Sequence, residues 1–175
     1  MHLNQYDEAL KDFNEANQIA PQIADIWIAR IYALEGNPDM AVRFLKSHLA
    51  SSNRLSEDSI KKDAAFDKIL ETPEWFELWD KEWYSQAEKA ISEAQRYIKR
   101  KQYEKAISLM DEEFNSQNDY RFLVVRGNAF MGQQNYAAAA GDYSSALNMQ
   151  KQIPGIYAHR GMAYLKTGRQ KEALN

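Results

Sequence analysis

Small and apolar residues recur at helical spacing from Tyr120 to Leu147, through Gly127, Phe130, Tyr136, Ala139, Tyr143 and Ala146. The stripe predicts two antiparallel helices, with Gly127 where their axes come closest and Phe130 filling the space one turn later. Tyr136 opens the second helix, and the run Ala137–Ala140 lets it lie tight against the first. The pattern then repeats. Arg126, Gly127, Phe130 and Ala139 are followed 34 residues later by Arg160, Gly161, Tyr164 and Ala173. Ala94, Tyr97, Tyr103 and Ala106 hold the same roles 33 residues before Gly127, Phe130, Tyr136 and Ala139.

A further copy stands near the N-terminus. Tyr6, Ala9, Phe13 and Ala16 read as a second helix of a pair, beginning near Tyr6 and ended by Pro21. The stretch from Ile23 then aligns with that from Ile153 through Ile23/Ile153, Ile26/Ile156, Trp27/Tyr157 and Arg30/Arg160. Its turn is two residues shorter, with Asn37 as helix cap and Pro38 in the first turn. Ile31 stands where the other copies have a small residue, which should loosen or shift that helix pair.

A period of 34 residues with small and aromatic residues at these offsets resembles the tetratricopeptide repeat family, over roughly residues 3–50 and 87–175. The resemblance implies an all-α solenoid of antiparallel helix pairs A and B wound in a right-handed superhelix. It also implies binding of a peptide or partner domain on the concave face. Three segments are expected: a first block over 1–50 (one helix B and one repeat), a helical insert over 51–86, and a second block over 87–175. The second block holds two full repeats and a truncated third.

The insert breaks the period. Ser56 suits an N-cap for a helix carrying Ile60 and Ala64, and Thr72 with Pro73 opens another. Trp75, Trp79 and Trp83 fall four apart, on one face if the helix runs on, and a break is expected near 80–86. Such a stripe either seals the first block or presents an aromatic patch to a partner.

Composition removes several chemistries. No cysteine is present, which excludes disulfides, thiolate metal sites and a Cys nucleophile. His2, His48 and His159 are too scattered for a histidine metal site, and no run is long and apolar enough to span a bilayer. No cofactor and no membrane insertion are therefore expected. Asp111, Glu112 and Glu113 read as a solvated helix end rather than a carboxylate site, and no enzymatic activity is expected. Charge is uneven: residues 1–86 carry 9 Lys/Arg against 16 Asp/Glu (−7), and residues 87–175 carry 13 against 9 (+4). The basic run Lys99, Arg100, Lys101, with Arg96 and Lys105, is one cluster at a turn. A nucleic-acid groove needs a stripe across several repeats, so RNA binding is the lesser reading.

The repeat register assigns an inner face to the A helices: Ile91, Gln95 and Ile98, then Val124, Asn128 and Met131, then Ala158, Met162 and Leu165. Family members that hold a terminal carboxylate use Lys, Arg and Asn on this face. The matching positions here are Ile91 and Gln95, Val125 and Asn128, and Gly155 and His159, so only Asn128 fits. Apolar residues with adaptable methionines and a few amides suit an amphipathic or extended segment. The function expected is a non-catalytic protein-interaction scaffold, with a structural subunit of a larger assembly as the alternative. The same register pairs Asp12 with Arg30 and Asp142 with Arg160 across neighbouring repeats. Met1 to Asn4 read as the tail of a cut helix A, and Arg169 to Asn175 as the start of a cut helix B. Head-to-tail self-association is the corresponding expectation, with Phe13 and Ala9 meeting a neighbour near Tyr164.

Overall fold

The computed structural model of the chain describes residues 3–168, with side chains from Tyr6 onward. All regular structure among them is helical. The α-helices are α1 (Leu3–Ile19), α2 (Asp25–Leu34), α3 (Pro38–Ala50), α4 (Glu57–Lys61), α5 (Pro73–Asp80), α6 (Gln86–Lys99), α7 (Tyr103–Gln117), α8 (Tyr120–Gly132), α9 (Tyr136–Met149) and α10 (Pro154–Lys166), with a 3₁₀ turn at Ala64–Ile69. The chain divides into two compact units, with the boundary between Trp83 and Tyr84. None of these helices is long and apolar enough to cross a membrane. The expected start of a further helix at Arg169 lies outside the described residues.

In the first unit α1 begins at Leu3, so Leu3 and Asn4 belong to the helix that the sequence starts near Tyr6. Two contacts dock it on α2. Phe13 stacks on Trp27 with ring centroids 6.3 Å apart. The Asn17 amide donates to Asp25 Oδ1 at 2.7 Å while its oxygen accepts the Ala24 N–H at 2.9 Å. Phe13 is thus engaged within its own chain. Helices α2 and α3 form the next pair, turning through Gly36 at φ 74°, with Asn37 accepting from the Met40 N–H and Pro38 at the first helical position. Ile28, Ala29, Ala33, Ala41 and Leu45 are fully buried, and Ile31 is buried with them.

The insert belongs to this unit and completes its core. Ser56 caps α4 and Thr72 caps α5, as their sequence positions suggest. The 3₁₀ turn packs on α2 with Phe66 and Ile69 fully buried, and α5 packs on α3. Each such side chain stabilises the fold by about 2 kcal/mol through burial. Trp75 lies 5.7 Å from Phe66 and 5.7 Å, edge-on, from Trp79. Trp83 is not on that face: α5 stops at Asp80, and the Trp83 Nε1–H donates to the Leu78 carbonyl at 2.7 Å. The single Trp stripe is therefore corrected to a packed pair and a tryptophan in the following turn.

The expected Asp12–Arg30 pair does not form. Arg30 lies over the Trp27 ring at 4.3 Å and takes Asp63 at 2.6 Å. The insert brings in a carboxylate that repeat spacing cannot foresee, while Asp12 stays exposed on α1.

The second unit contains the pairs α6/α7 and α8/α9, followed by α10. Gly127 confirms the close approach: a Cβ there would lie 2.7 Å from Cε1 of Tyr143, whose ring is buried at 1% exposure and cannot withdraw. A Cβ at Gly132 would likewise meet the Tyr103 ring, which is only half buried and can shift. Ala94, Ala106 and Ala139, the small residues of the repeat, are all fully buried. Ser85 and Glu88 form a reciprocal capping box that starts α6. The A–B turns of this unit contain Lys101 at φ 58° and Gln134 at φ 63°, left-handed positions where the first unit has Gly36.

Two expected outcomes follow from this packing. Gly127→Leu lowers unfolding free energy by about 1–3 kcal/mol in denaturant titration, while Lys99→Ala, on the exposed surface, leaves the melting temperature unchanged. The second concerns His48, buried in the first unit, whose Nε2 accepts the Leu55 N–H at 2.9 Å and must be unprotonated to do so. Burial holds its pKa below the usual 6.5 against the opposing pull of Asp25, with Arg30 lowering it further. The unfolded chain therefore binds the proton more readily, and stability falls as pH drops below about 6.5 towards the folded pKa. Melting curves at pH 7.5 and 5.5 should separate more for wild type than for His48→Gln.

Candidate partner-binding surface

The A helices of the second unit carry the inner-face residues in three equivalent rows: Ile91, Val124 and Ala158; Gln95, Asn128 and Met162; Ile98, Met131 and Leu165. α6 packs on α8, and each A helix packs on its own or the preceding B helix. Ile91 and Ile98 lie half-buried against one core cluster, and Val124 and Met131 against the next. Gln95 and Ala158 are exposed, as are Met162 at 50% and Leu165 at 54%. The surface is thus half sealed at its α6 and α8 rows and open at α10.

A polar line crosses it. The Tyr143 hydroxyl donates to Asn128 Oδ1 at 2.8 Å, and the His159 ring sits 5.6 Å from the Tyr143 ring, tilted by 47°. Burial, followed by the adjacent Asp142, pushes the Tyr143 phenol far above its usual pKa, so it remains a donor at any physiological pH. The bond fixes the Asn128 amide with its N–H groups left to donate, and His159 is exposed beside it. Asn128, Tyr143 and His159 therefore come together from α8, α9 and α10. Tyr143 reads from sequence as packing alone; that its hydroxyl reaches Asn128 depends on the α8–α9 distance, which spacing does not report. Val125, one of the carboxylate-clamp positions, is buried in the core.

Arg126 supports this surface from beneath. Its Nε and Nη2 donate to the two oxygens of Asp142 at 2.9 and 2.7 Å, and Nη1 pairs with Asp111. The Asp142 hydrogen bond is the main reason its guanidinium pKa stands above the usual value. The expected Asp142–Arg160 pair is corrected accordingly. Asp142 already binds Arg126 through both oxygens, and Arg160 lies instead over the rings of Tyr157 and Tyr164, at 5.3 and 5.9 Å.

Two other features lie off this face. A shallow groove of about 280 Å³ between α6 and α7 is lined by Glu93, Tyr97, Lys105, Ser108, Leu109 and Glu112. The Tyr97 hydroxyl donates to Glu93 at 2.9 Å, a bond that raises the phenol pKa. Lys99, Arg100 and Lys101 are exposed at the end of α6. Among the described residues no group of three or more His, Asp or Glu is arranged to hold a metal ion.

Among the described residues the fold is all-α, a succession of antiparallel helix pairs. No protein-family model matches the sequence, and no curated protein matches it. Among solved structures, one described as the complex of the TPR2AB domain of yeast Sti1 with pHSP90 aligns with 99% of this chain and 69% of that chain. It does so at 17% identity and a TM-score of 0.48.

The ion pairs beneath the surface can be weighed directly. Asp142→Ala leaves the mostly buried Arg126 with Asp111 alone and should cost about 2 kcal/mol of stability in urea unfolding. A loss too small to detect would mean that solvent already neutralises Arg126.

Proposed function

We propose that the chain is a non-catalytic protein-interaction scaffold, holding a peptide or partner domain on the inner face of α6, α8 and α10. One observation carries this reading: equivalent apolar and amide positions on three successive A helices end in the open side chains of Met162 and Leu165. Unbranched, polarizable methionine adapts to differently shaped apolar partners. The amide N–H groups of Asn128, beside His159, would orient such a partner by its carbonyl or carboxylate oxygens. The basic residues at the end of α6 form a single cluster, which favours a protein partner over nucleic acid.

The test is affinity capture from native lysate with and without nuclease. Wild type should retain protein partners after nuclease treatment. The double variant Met162→Glu with Leu165→Glu, both exposed, should melt as wild type does and retain less than about a tenth as much. Equal capture by both proteins would refute this surface, and release of every partner by nuclease would favour the nucleic-acid reading.

A further inference from the structure

Four A helices share one register, and one of them breaks it. Arg30, Arg126 and Arg160 stand at equivalent points of α2, α8 and α10, whereas α6 has Glu93 there, 33 residues before Arg126. The facing position on helix B changes with it. Asp142, which binds Arg126 through both oxygens, has Leu109 as its counterpart on α7. α8 and α9 thus fill this point with a guanidinium of their own. α6 and α7 leave it open, as the groove of about 280 Å³ lined by Glu93, Tyr97, Lys105, Ser108, Leu109 and Glu112.

The groove has the parts to receive such a group from outside. The Tyr97 hydroxyl donates to Glu93 Oε1 at 2.9 Å, which holds the carboxylate in place and leaves Oε2 for another donor. Glu112 is exposed and forms no ion pair among the described residues. Half-buried Tyr97 and Leu109 offer apolar walls for an aliphatic stem. The Lys105 ammonium stands 5.7 Å from the centre of the Tyr97 ring. Two carboxylates against one ammonium leave the lining at −1, which a single cation neutralises. The volume falls below the roughly 300–1,000 Å³ of pockets that enclose a whole small molecule, so it suits one long side chain. A guanidinium fits better than an ammonium. Its fixed fork of donors can bridge two carboxylates, as Arg126 bridges Asp111 and Asp142, and its plane can lie on an aromatic ring.

We propose that this groove binds an arginine side chain of a partner protein, with the guanidinium between Glu93 and Glu112 and the methylenes along Tyr97 and Leu109. The groove lies off the inner face of α6, α8 and α10 and is a second point of attachment, independent of that surface.

Capped arginine (N-acetyl-arginine amide), titrated into the intact isotope-labelled chain and followed by amide chemical shifts, tests this. Saturable shifts at about millimolar concentration, as one side chain gives, should centre on Glu93, Tyr97, Ser108, Leu109 and Glu112. The citrulline counterpart, similar in shape but uncharged, should give none, and this arm leaves the protein unaltered. Glu93→Gln and Glu112→Gln should each weaken binding about fivefold. Glu93→Arg, which puts into the groove the residue that α8 carries, should abolish it while the rest of the spectrum stays that of the folded chain. Met162→Glu with Leu165→Glu should bind the probe as wild type does. The proposal is overturned by absence of saturable shifts, by equal shifts with citrulline, or by shifts centred on Asn128 and Met162 instead. Much tighter binding of free arginine would also overturn it, because the site would then read the charges of the amino acid rather than a side chain of a protein.

Discussion

A guanidinium packed between helices needs an anion or an aromatic face, because leaving it unpaired and desolvated costs several kcal/mol. The chain places this demand at the same point of three A helices and meets it in three ways. Arg126 is clamped between Asp111 of α7 and Asp142 of α9, which ties α8 to both neighbouring B helices. Arg30 draws in Asp63 and with it the 3₁₀ turn that seats Phe66 and Ile69 in the first core. Arg160 rests on Tyr157 and Tyr164. What answers the arginine therefore decides what covers the helix.

Around that point the packing follows from residue size. Gly127 faces the buried Tyr143 ring, so α8 and α9 close to a distance that a side chain at 127 would disturb. The same Tyr143 reaches past Gly127 to hold the Asn128 amide. One aromatic residue thus sets both the spacing of the pair and the orientation of a polar group on the inner face. In the first unit the insert covers the equivalent helix, whereas in the second Met162 and Leu165 stay open.

The sequence revealed whatever repeats. Gly127, Ala139, Ala94 and Ala106 were legible because close helix contact admits few residue types, and Asn37, Ser56 and Thr72 because capping needs a short polar side chain. The carboxylates facing Arg30 and Arg126 were not legible. Asp63 arrives from outside the period, and Asp142, expected on Arg160 by spacing across repeats, binds Arg126 of its own pair. Lys101 and Gln134 hide left-handed turns that glycine would have announced. The end of α5 at Asp80 falls where a break is expected near 80–86, although no Gly or Pro stands between Glu74 and Gln102. On the candidate surface the spacing named the inner-face positions, but only burial separates the half-sealed Ile91 and Val124 from the open Met162 and Leu165.

The account's central claim is that, among the described residues, equivalent arginines differ in carboxylate occupancy, and side-chain NMR of the arginine Nε–H groups measures this directly. Near neutral pH, Arg30 and Arg126 should show slowly exchanging Nε–H signals, because each donates that hydrogen to a carboxylate. Arg160 should exchange with solvent much faster. Equal protection at Arg160, or rapid exchange at Arg30, would contradict the account.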